Sequence, residues 1–180
     1  AIHYISDRRG QPFVPINCGA FTDELILSEL FGHQRGAFTG ASTDRVGLLE
    51  TANGGTLFLD EVDALSPKAQ VSLLRYLQEG EIRPIGSNKV KNVEVRVISA
   101  TNKDTKELVE KDLLRQDLMY RLDILNVTMP PLRRRGEDIQ LLAQYYLAQL
   151  AMEEGHSGKY LSTEIIDELS RYPWPGNVRE

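Results

Sequence analysis

Eight consecutive residues restrict this chain more than any other feature: Gly54-Gly55-Thr56-Leu57-Phe58-Leu59-Asp60-Glu61. An apolar run without alternation suits a strand covered on both faces, the central position of a parallel α/β sheet. A buried strand that ends in two carboxylates delivers them to the carboxyl edge of the sheet, where such proteins bind ligands. One carboxylate there can hold Mg²⁺ against nucleotide phosphates, directly or through water. Its neighbour can orient and polarise an attacking water. A lone Asp-Glu pair more often merely starts a turn, and the Gly-Gly ahead of a purely apolar strand shifts the balance toward nucleotide chemistry.

The rest of the chain agrees with a parallel α/β sheet followed by a helical appendage. Short β-branched runs at 13–16, 56–59, 93–99 and 124–129 read as strands and alternate with amphipathic stretches of helical length. The clearest helix covers 66–79, with Ser66 as N-cap, Pro67 at the first helical position and Gly80 closing the C-terminus. Val71, Leu74 and Leu77 then fall along its inner side. Runs at 82–85 and from Val90 onward flank Gly86-Ser87-Asn88-Lys89 as a hairpin. A helix is expected over 104–110. Beyond Pro130-Pro131 two further helices, 137–153 and 163–171, follow with no strand between them, so the sheet part spans 1–131 and a helical part 132–180. Both ends read as cut from something longer. Residues 1–6 carry the spacing of a helix tail, and the chain stops just after Pro175-Gly176-Asn177 prepares a new helix.

Composition excludes more than it assigns. A net charge of −5 argues against a DNA-binding module, which would show a basic face. No apolar run approaches the ~18 residues that span a bilayer. Cys18 is the single cysteine, so no internal disulfide forms, which fits a reducing compartment.

The acidic strand end is a Walker B pattern, and its usual partner is a Gly-x-x-x-x-Gly-Lys-Ser/Thr phosphate loop. The sequence contains none. Its sole Gly-Lys pair, Gly158-Lys159, is followed by Tyr160 and lies on the wrong side of the strand. A cradle is therefore expected ahead of Ala1.

The residues resemble a known family at this point: the AAA+ domains of bacterial enhancer-binding proteins, the sigma-54-dependent activators. The likeness runs through essentially the whole chain. Its centre is Glu29-Leu30-Phe31-Gly32-His33-Gln34-Arg35 followed by Gly36, Ala37, Phe38, Thr39, Gly40 and Ala41, which reproduce the GAFTGA signature without departure. From the residues alone, a phenylalanine between two glycines is either a mobile loop with an apolar tip or a turn whose ring folds into the core. The resemblance implies the former, with Phe38 and Thr39 touching the sigma factor and nucleotide state raising or lowering the loop.

Other roles follow from the same resemblance. The fold it implies is an AAA+ P-loop NTPase-type three-layer parallel sheet followed by a truncated helical lid. Asp60 would hold Mg²⁺ and Glu61 would orient water. Asn17 would pair with Glu61 and link it to the loop, although an Asn at a strand end is commonly a cap. Thr101 and Asn102 resemble sensor I, although either would also cap the helix that follows. Arg115 and Arg121 resemble arginine fingers that reach a neighbouring subunit's nucleotide, a role suited to the planar guanidinium. Most of the 21 Lys and Arg are solvated surface charges, a plainer role open to both, and six residues apart on a helix these two would not share a face. Leu114 stands where the family has Phe. Arg179, in Trp174-Pro175-Gly176-Asn177-Val178-Arg179-Glu180, resembles sensor II facing the γ-phosphate. Arg133, Arg134 and Arg135 read as a solvated link.

The implied function is ATP hydrolysis, with ATP and Mg²⁺, driving the closed sigma-54 RNA polymerase holoenzyme–promoter complex to the open one. A cytoplasmic homo-oligomeric ring, a hexamer, is implied, since no single subunit holds a complete site. DNA would be bound only through a domain absent from this chain. The competing readings are another AAA+ remodelling ATPase, which should lack the 31–41 segment and the Gly86 hairpin, and a non-hydrolysing regulatory scaffold, against which Asp60, Glu61, Asn102 and both arginines speak. An ordinary response-regulator or DNA-binding domain finds no pattern here.

Overall fold

The computed structural model describes residues 1–155 and 160–180. The Gly158-Lys159 pair thus lies outside the described residues. The chain divides into two units, Ala1–Leu125 and Asn126–Glu180.

In the first unit the elements run β1 (Phe13–Asn17), α1 (Asp23–Phe31), β2 (Gly32–His33), β3 (Arg45–Val46), α2 (Leu48–Thr51), β4 (Thr56–Asp60), α3 (Pro67–Glu79), β5 (Glu81–Ile82), β6 (Lys91–Asn92), β7 (Arg96–Ser99), α4 (Thr105–Glu110) and α5 (Gln116–Leu122). The main sheet is parallel, in the order β1-β4-β7. Central β4 is the acidic strand: Leu57 and Leu59 on one face are 0% exposed, while on the other face Thr56 is 0% exposed and Phe58 is half-buried. Pro15, which has no N–H to give a ladder, sits on the edge strand β1 opposite Phe58. Around this sheet Ile26, Leu30, Leu49, Leu73, Leu108 and Leu118 close one continuous core.

Helix α3 begins and ends where its caps dictate. The Ser66 side chain accepts a hydrogen bond from Ala69 N, Pro67 opens the helix, and Gly80, at φ 70°, returns its N–H to Tyr76 O. Its buried stripe differs from the expected one. It comprises Ala69, Gln70, Leu73, Leu74 and Tyr76, while Val71 and Leu77 are only half-buried. Positions 69/70, 73/74 and 76/77 repeat at the helical period, and Val71 lies off that line.

Four further expectations need correction. Residues 1–6 carry no helix tail: one helical bond forms, Ile5 N–H to Ala1 O, within a series of turns. There Ser6 Oγ donates to His3 O and accepts from Arg8 N, so a side chain competes for the groups a helix would use. The hairpin is shorter than expected, a ladder of Glu81↔Asn92 and Ile82↔Lys91, and Ile85 bridges His33 instead. The 93–99 strand is confined to Arg96–Ser99. No strand forms at 124–129, where Ile124, Leu125, Val127 and Met129 are 76%, 86%, 72% and 70% exposed. A β-branched run becomes a strand only where another strand accepts its hydrogen bonds, and none of the described strands pairs with it.

The second unit is helical. Helices α6 (Gly136–Glu153) and α7 (Thr163–Arg171) pack together, and Ser162 caps α7 through Ile165 N. Leu132 N–H bonds to Asn177 Oδ1, and Trp174 Nε1 donates to Leu169 O, tying the Trp174–Gly176 turn into this unit. Among the described residues no helix is long and apolar enough to cross a membrane.

Candidate functional site

Parallel pairing aligns the chemistry. Asn17 lies opposite Asp60 across β1 and β4, and Leu59 lies opposite Ser99 across β4 and β7. Ala100 N–H bonds to Leu59 O and Val62 N–H to Ala100 O, which carries Thr101 to the same edge. Asn17, Asp60, Glu61 and Thr101 are thereby gathered at the tip of one sheet.

Glu61 adopts the left-handed conformation, φ 52° and ψ 49°. A side chain in that region costs about 1–2 kcal/mol, and such strain concentrates at functional positions. The turn swings the carboxylate out of the strand direction, and Glu61 is exposed while Asp60 is half-buried. Glu61 N–H bonds to Asp60 Oδ1 at 3.1 Å, orienting the Asp60 carboxylate. Neither carboxylate is in an ion pair among the described residues. Two hard oxygen donors outside any such ion pair fit a divalent ion such as Mg²⁺, which takes one or two carboxylates and completes its shell with water and phosphate. Cys18 reports the same negative field. Burial first, then the charges of Asp60, Glu61 and Asp63, push its thiol up to about 12. A thiol held neutral is neither a nucleophile nor a metal ligand.

Asn17 spends its side chain locally. Its Oδ1 accepts from Gly19 N at 2.8 Å, capping the turn Cys18–Ala20. Glu61 Oε2 approaches the same glycine, within 2.5 Å of where a Cβ would stand. The two side chains therefore face one spot without bonding each other.

Thr101 does not cap the next helix; Asp104 does, accepting from Lys106 N and Glu107 N. Thr101 Oγ1 instead donates to Asp63 at 2.6 Å, and Lys103 Nζ pairs with Asp63 at 2.7 Å. Burial is the largest influence on Asp63 and pushes its carboxyl up. The hydrogen bonds from Lys103, Thr101 and its own main chain, with the charge of Lys103, together outweigh it and leave the carboxyl below its ordinary value. Asp63, with a side chain only 5% exposed, was missed in the sequence, although a third acid so close to Asp60 and Glu61 calls for a compensating cation. Asn102 is exposed.

The arginines stand apart from this cluster. Arg115 is the residue before α5 rather than within it, and its guanidinium grips Asp117, Nε to Oδ1 at 3.1 Å and Nη2 to Oδ2 at 2.8 Å. Arg121 closes the last turn of α5 and donates to Leu77 O at the end of α3. Leu114 is buried core. Arg179 belongs to the second unit, in the turn Asn177–Arg179, and is exposed.

The Gly36-to-Ala41 loop rises from the two-residue ladder of β2 and β3, Gly32↔Val46 and His33↔Arg45. Gly36 and Gly40 both have positive φ, 81° and 99°, conformations that favour glycine, on either side of the aromatic. Phe38 is neither core nor free tip. It is half-buried, with its ring against His33 at 5.0 Å between centroids. His33, itself buried, hydrogen-bonds Ser28 Oγ through Nδ1 at 2.6 Å. The Gly86 turn supports the loop: Gln34 N–H bonds to Ile85 O, and a Cβ at Gly86 would lie 2.8 Å from Ala37 Cβ. Thr39 and Gly40 are exposed, and Ala41 is buried.

This arrangement of parallel sheet, acidic strand tip and helical unit is that of an AAA+ domain. It superposes with a TM-score of 0.87 on NtrX from Brucella abortus in complex with ATP, at 34% identity, over 99% of this chain and 38% of that one. NtrX in complex with ADP matches equally. The chain belongs to the Sigma-54 interaction domain family, which matches residues 1–128, and residues 133–180 match an AAA+ ATPase lid domain. Among its relatives, the hydrogenase transcriptional regulatory protein HoxA of Cupriavidus necator is 50% identical over 180 residues, all of this chain and 37% of that protein. The regulatory protein LuxO of Vibrio parahaemolyticus is 48% identical, again over all of this chain and 40% of that protein. The chain therefore spans well under half the length of these relatives.

Proposed function

We propose that this chain is the motor part of a longer sigma-54-dependent transcription activator, which hydrolyses ATP and uses the energy to open promoter complexes of the sigma-54 RNA polymerase holoenzyme. The observation that carries the reading is Glu61, held left-handed beside Asp60 at the end of the central strand and level with Asn17 and Thr101.

Asp60 is the Mg²⁺ ligand, and Mg²⁺ when bound neutralises charge on the phosphate oxygens. Glu61 holds the attacking water through its exposed carboxylate. Thr101 and Asn102 sense the γ-phosphate, and Thr101 reads it against its bond to Asp63. Arg115 and Arg121 act on a neighbour's nucleotide, so the working form is a ring, a hexamer. For that, Arg115 exchanges Asp117 for phosphate, and Arg121 leaves Leu77 O. Arg179 acts on the γ-phosphate of bound ATP. Phe38 and Thr39 contact sigma-54, and the hinges at Gly36 and Gly40 let that loop rise.

The domain division at 131/132, the cytoplasmic location and the phosphate cradle upstream of Ala1 belong to the same reading. The test has two arms. The 180-residue chain should bind ATP poorly and hydrolyse it negligibly; robust turnover would overturn the upstream cradle. In the full-length protein, Glu61→Gln should lower ATP hydrolysis by about 10²-fold or more. Retained hydrolysis would remove Glu61 from its role.

A further inference from the structure

The buried amide of Gln70 ties the turn after Glu61 to the root of Arg115. Gln70 lies on α3 and is 2% exposed. Its Nε2 donates to Leu65 O and to Leu113 O, both at 2.9 Å, and its Oε1 accepts from Arg115 N at 2.9 Å. Both amide protons and an acceptor lone pair are thus committed to main-chain groups, the full use a buried amide needs.

The groups it joins are telling. Leu65 ends the turn Val62–Ala64 that Glu61 opens in the left-handed conformation. Leu113 and Arg115 flank buried Leu114 in a stretch of irregular backbone, where Asp112 has φ 55° and both Leu113 N and Leu114 N reach Leu108 O. No regular ladder fixes that stretch, and a side chain from another element holds it at both Leu113 and Arg115. The Arg115 side chain is exposed and, among the described residues, bound only to Asp117, two residues on. Where its guanidinium can reach is therefore decided by where its main chain is held.

We infer that Gln70 is a positioning residue for Arg115, coupling a subunit's own carboxylate edge to the guanidinium that subunit extends to its neighbour. The inference rests on the reading of Arg115 as a finger acting in trans. A shift of the Glu61 turn moves Leu65 O, and the amide passes that shift to Arg115 N without any contact to nucleotide. A merely structural glutamine would fill the same cavity but carry no such coupling.

The test uses full-length protein with Mg²⁺ and ATP. Arg115→Ala alone should lose most hydrolysis; if it does not, the finger reading fails, whatever Gln70 does. Mixing Arg115→Ala subunits with hydrolysis-deficient Glu61→Gln subunits should restore turnover, because the second kind lends its finger to the first. Donors carrying both Glu61→Gln and Gln70→Leu should restore at least tenfold less. Undiminished restoration overturns the inference. Should Gln70→Leu fail to fold, Gln70→Glu, which keeps the acceptor for Arg115 N, serves as donor instead and should restore an intermediate amount. Restoration equal to that of unaltered donors would again overturn it. In an Arg115→Ala background Gln70→Leu should cost less than a further twofold in kcat, and a further tenfold loss would show that Gln70 acts elsewhere.

Discussion

The acidic strand tip and the Phe38 loop sit in the same unit but are held by different physics. Asp60 and Glu61 follow two residues that are 0% exposed, in register with neighbours on both sides, and the turn beyond them is closed by the Asp63–Thr101–Lys103 network. The Phe38 loop rests on a two-residue ladder, the Gly86 turn, a few main-chain hydrogen bonds of its own, two positive-φ glycines and one ring contact to His33. Burial and sheet pairing fix the first against thermal motion. Few buried contacts restrain the second, which is the property of segments that move. A domain that turns phosphate chemistry into force needs both.

That contrast can be broken by stability measurements on the 180-residue chain. Leu59→Ala should cost about 2–5 kcal/mol, because it removes a fully buried side chain under the carboxylates. Gly55→Ala should cost about 1–3 kcal/mol, since its Cβ would stand 2.1 Å from Pro12 O, a main-chain atom with little room to retreat. Thr101→Val, which removes a hydrogen bond to a charged acceptor, should cost about 1.5–3 kcal/mol, toward the lower end because Thr101 is only partly buried. Phe38→Ala should cost less than about 1.5 kcal/mol, the range of an aromatic contact outside the core. Denaturant midpoints order the four, and a Phe38→Ala penalty as large as that of Leu59→Ala would make the loop part of the core.

The smallest effect is a shift in acid stability. Asp63 titrates below its ordinary value of 3.8 in the folded chain, so its pairing stabilises the fold above that pH and is lost as pH falls through the folded value. Lys103→Met removes a hydrogen bond and a positive charge that hold the carboxyl down, so acid unfolding should begin at a higher pH. Unchanged acid unfolding would show that the pair contributes nothing. Lys103 works in the opposite direction: Asp63 raises it above 10.5, and its share of stability disappears as pH rises beyond that.

What could be read in the sequence was what is local. Ser66, Pro67 and Gly80 set the bounds of α3 by themselves, and the uninterrupted apolar run of β4 announced a strand covered twice. Thr163–Arg171 carries its own cap in Ser162. What depends on a distant partner was lost. Residues 124–129 have the composition of a strand and no strand beside them. Thr101 reads as a cap until Asp63 takes its hydroxyl. Gln70 carried a usable signal, a polar residue on the inner line 66, 70, 73, 77 of an amphipathic helix, but its three main-chain partners lie beyond local sequence. The signature Gly36-to-Ala41 segment was legible by resemblance, while the His33 contact that half-buries Phe38 was not.

The central claim is that the strand tip does the chemistry and the hinged aromatic transmits it. Its most direct test is Phe38→Ala in the full-length protein, counting open promoter complexes formed per ATP hydrolysed with sigma-54 polymerase. The account predicts hydrolysis within about twofold of the unaltered protein and a fall in open complexes of about 10²-fold, the behaviour of a residue that takes no part in the hydrolytic transition state. Open-complex formation that survives the substitution, or hydrolysis that falls with it, would contradict the account.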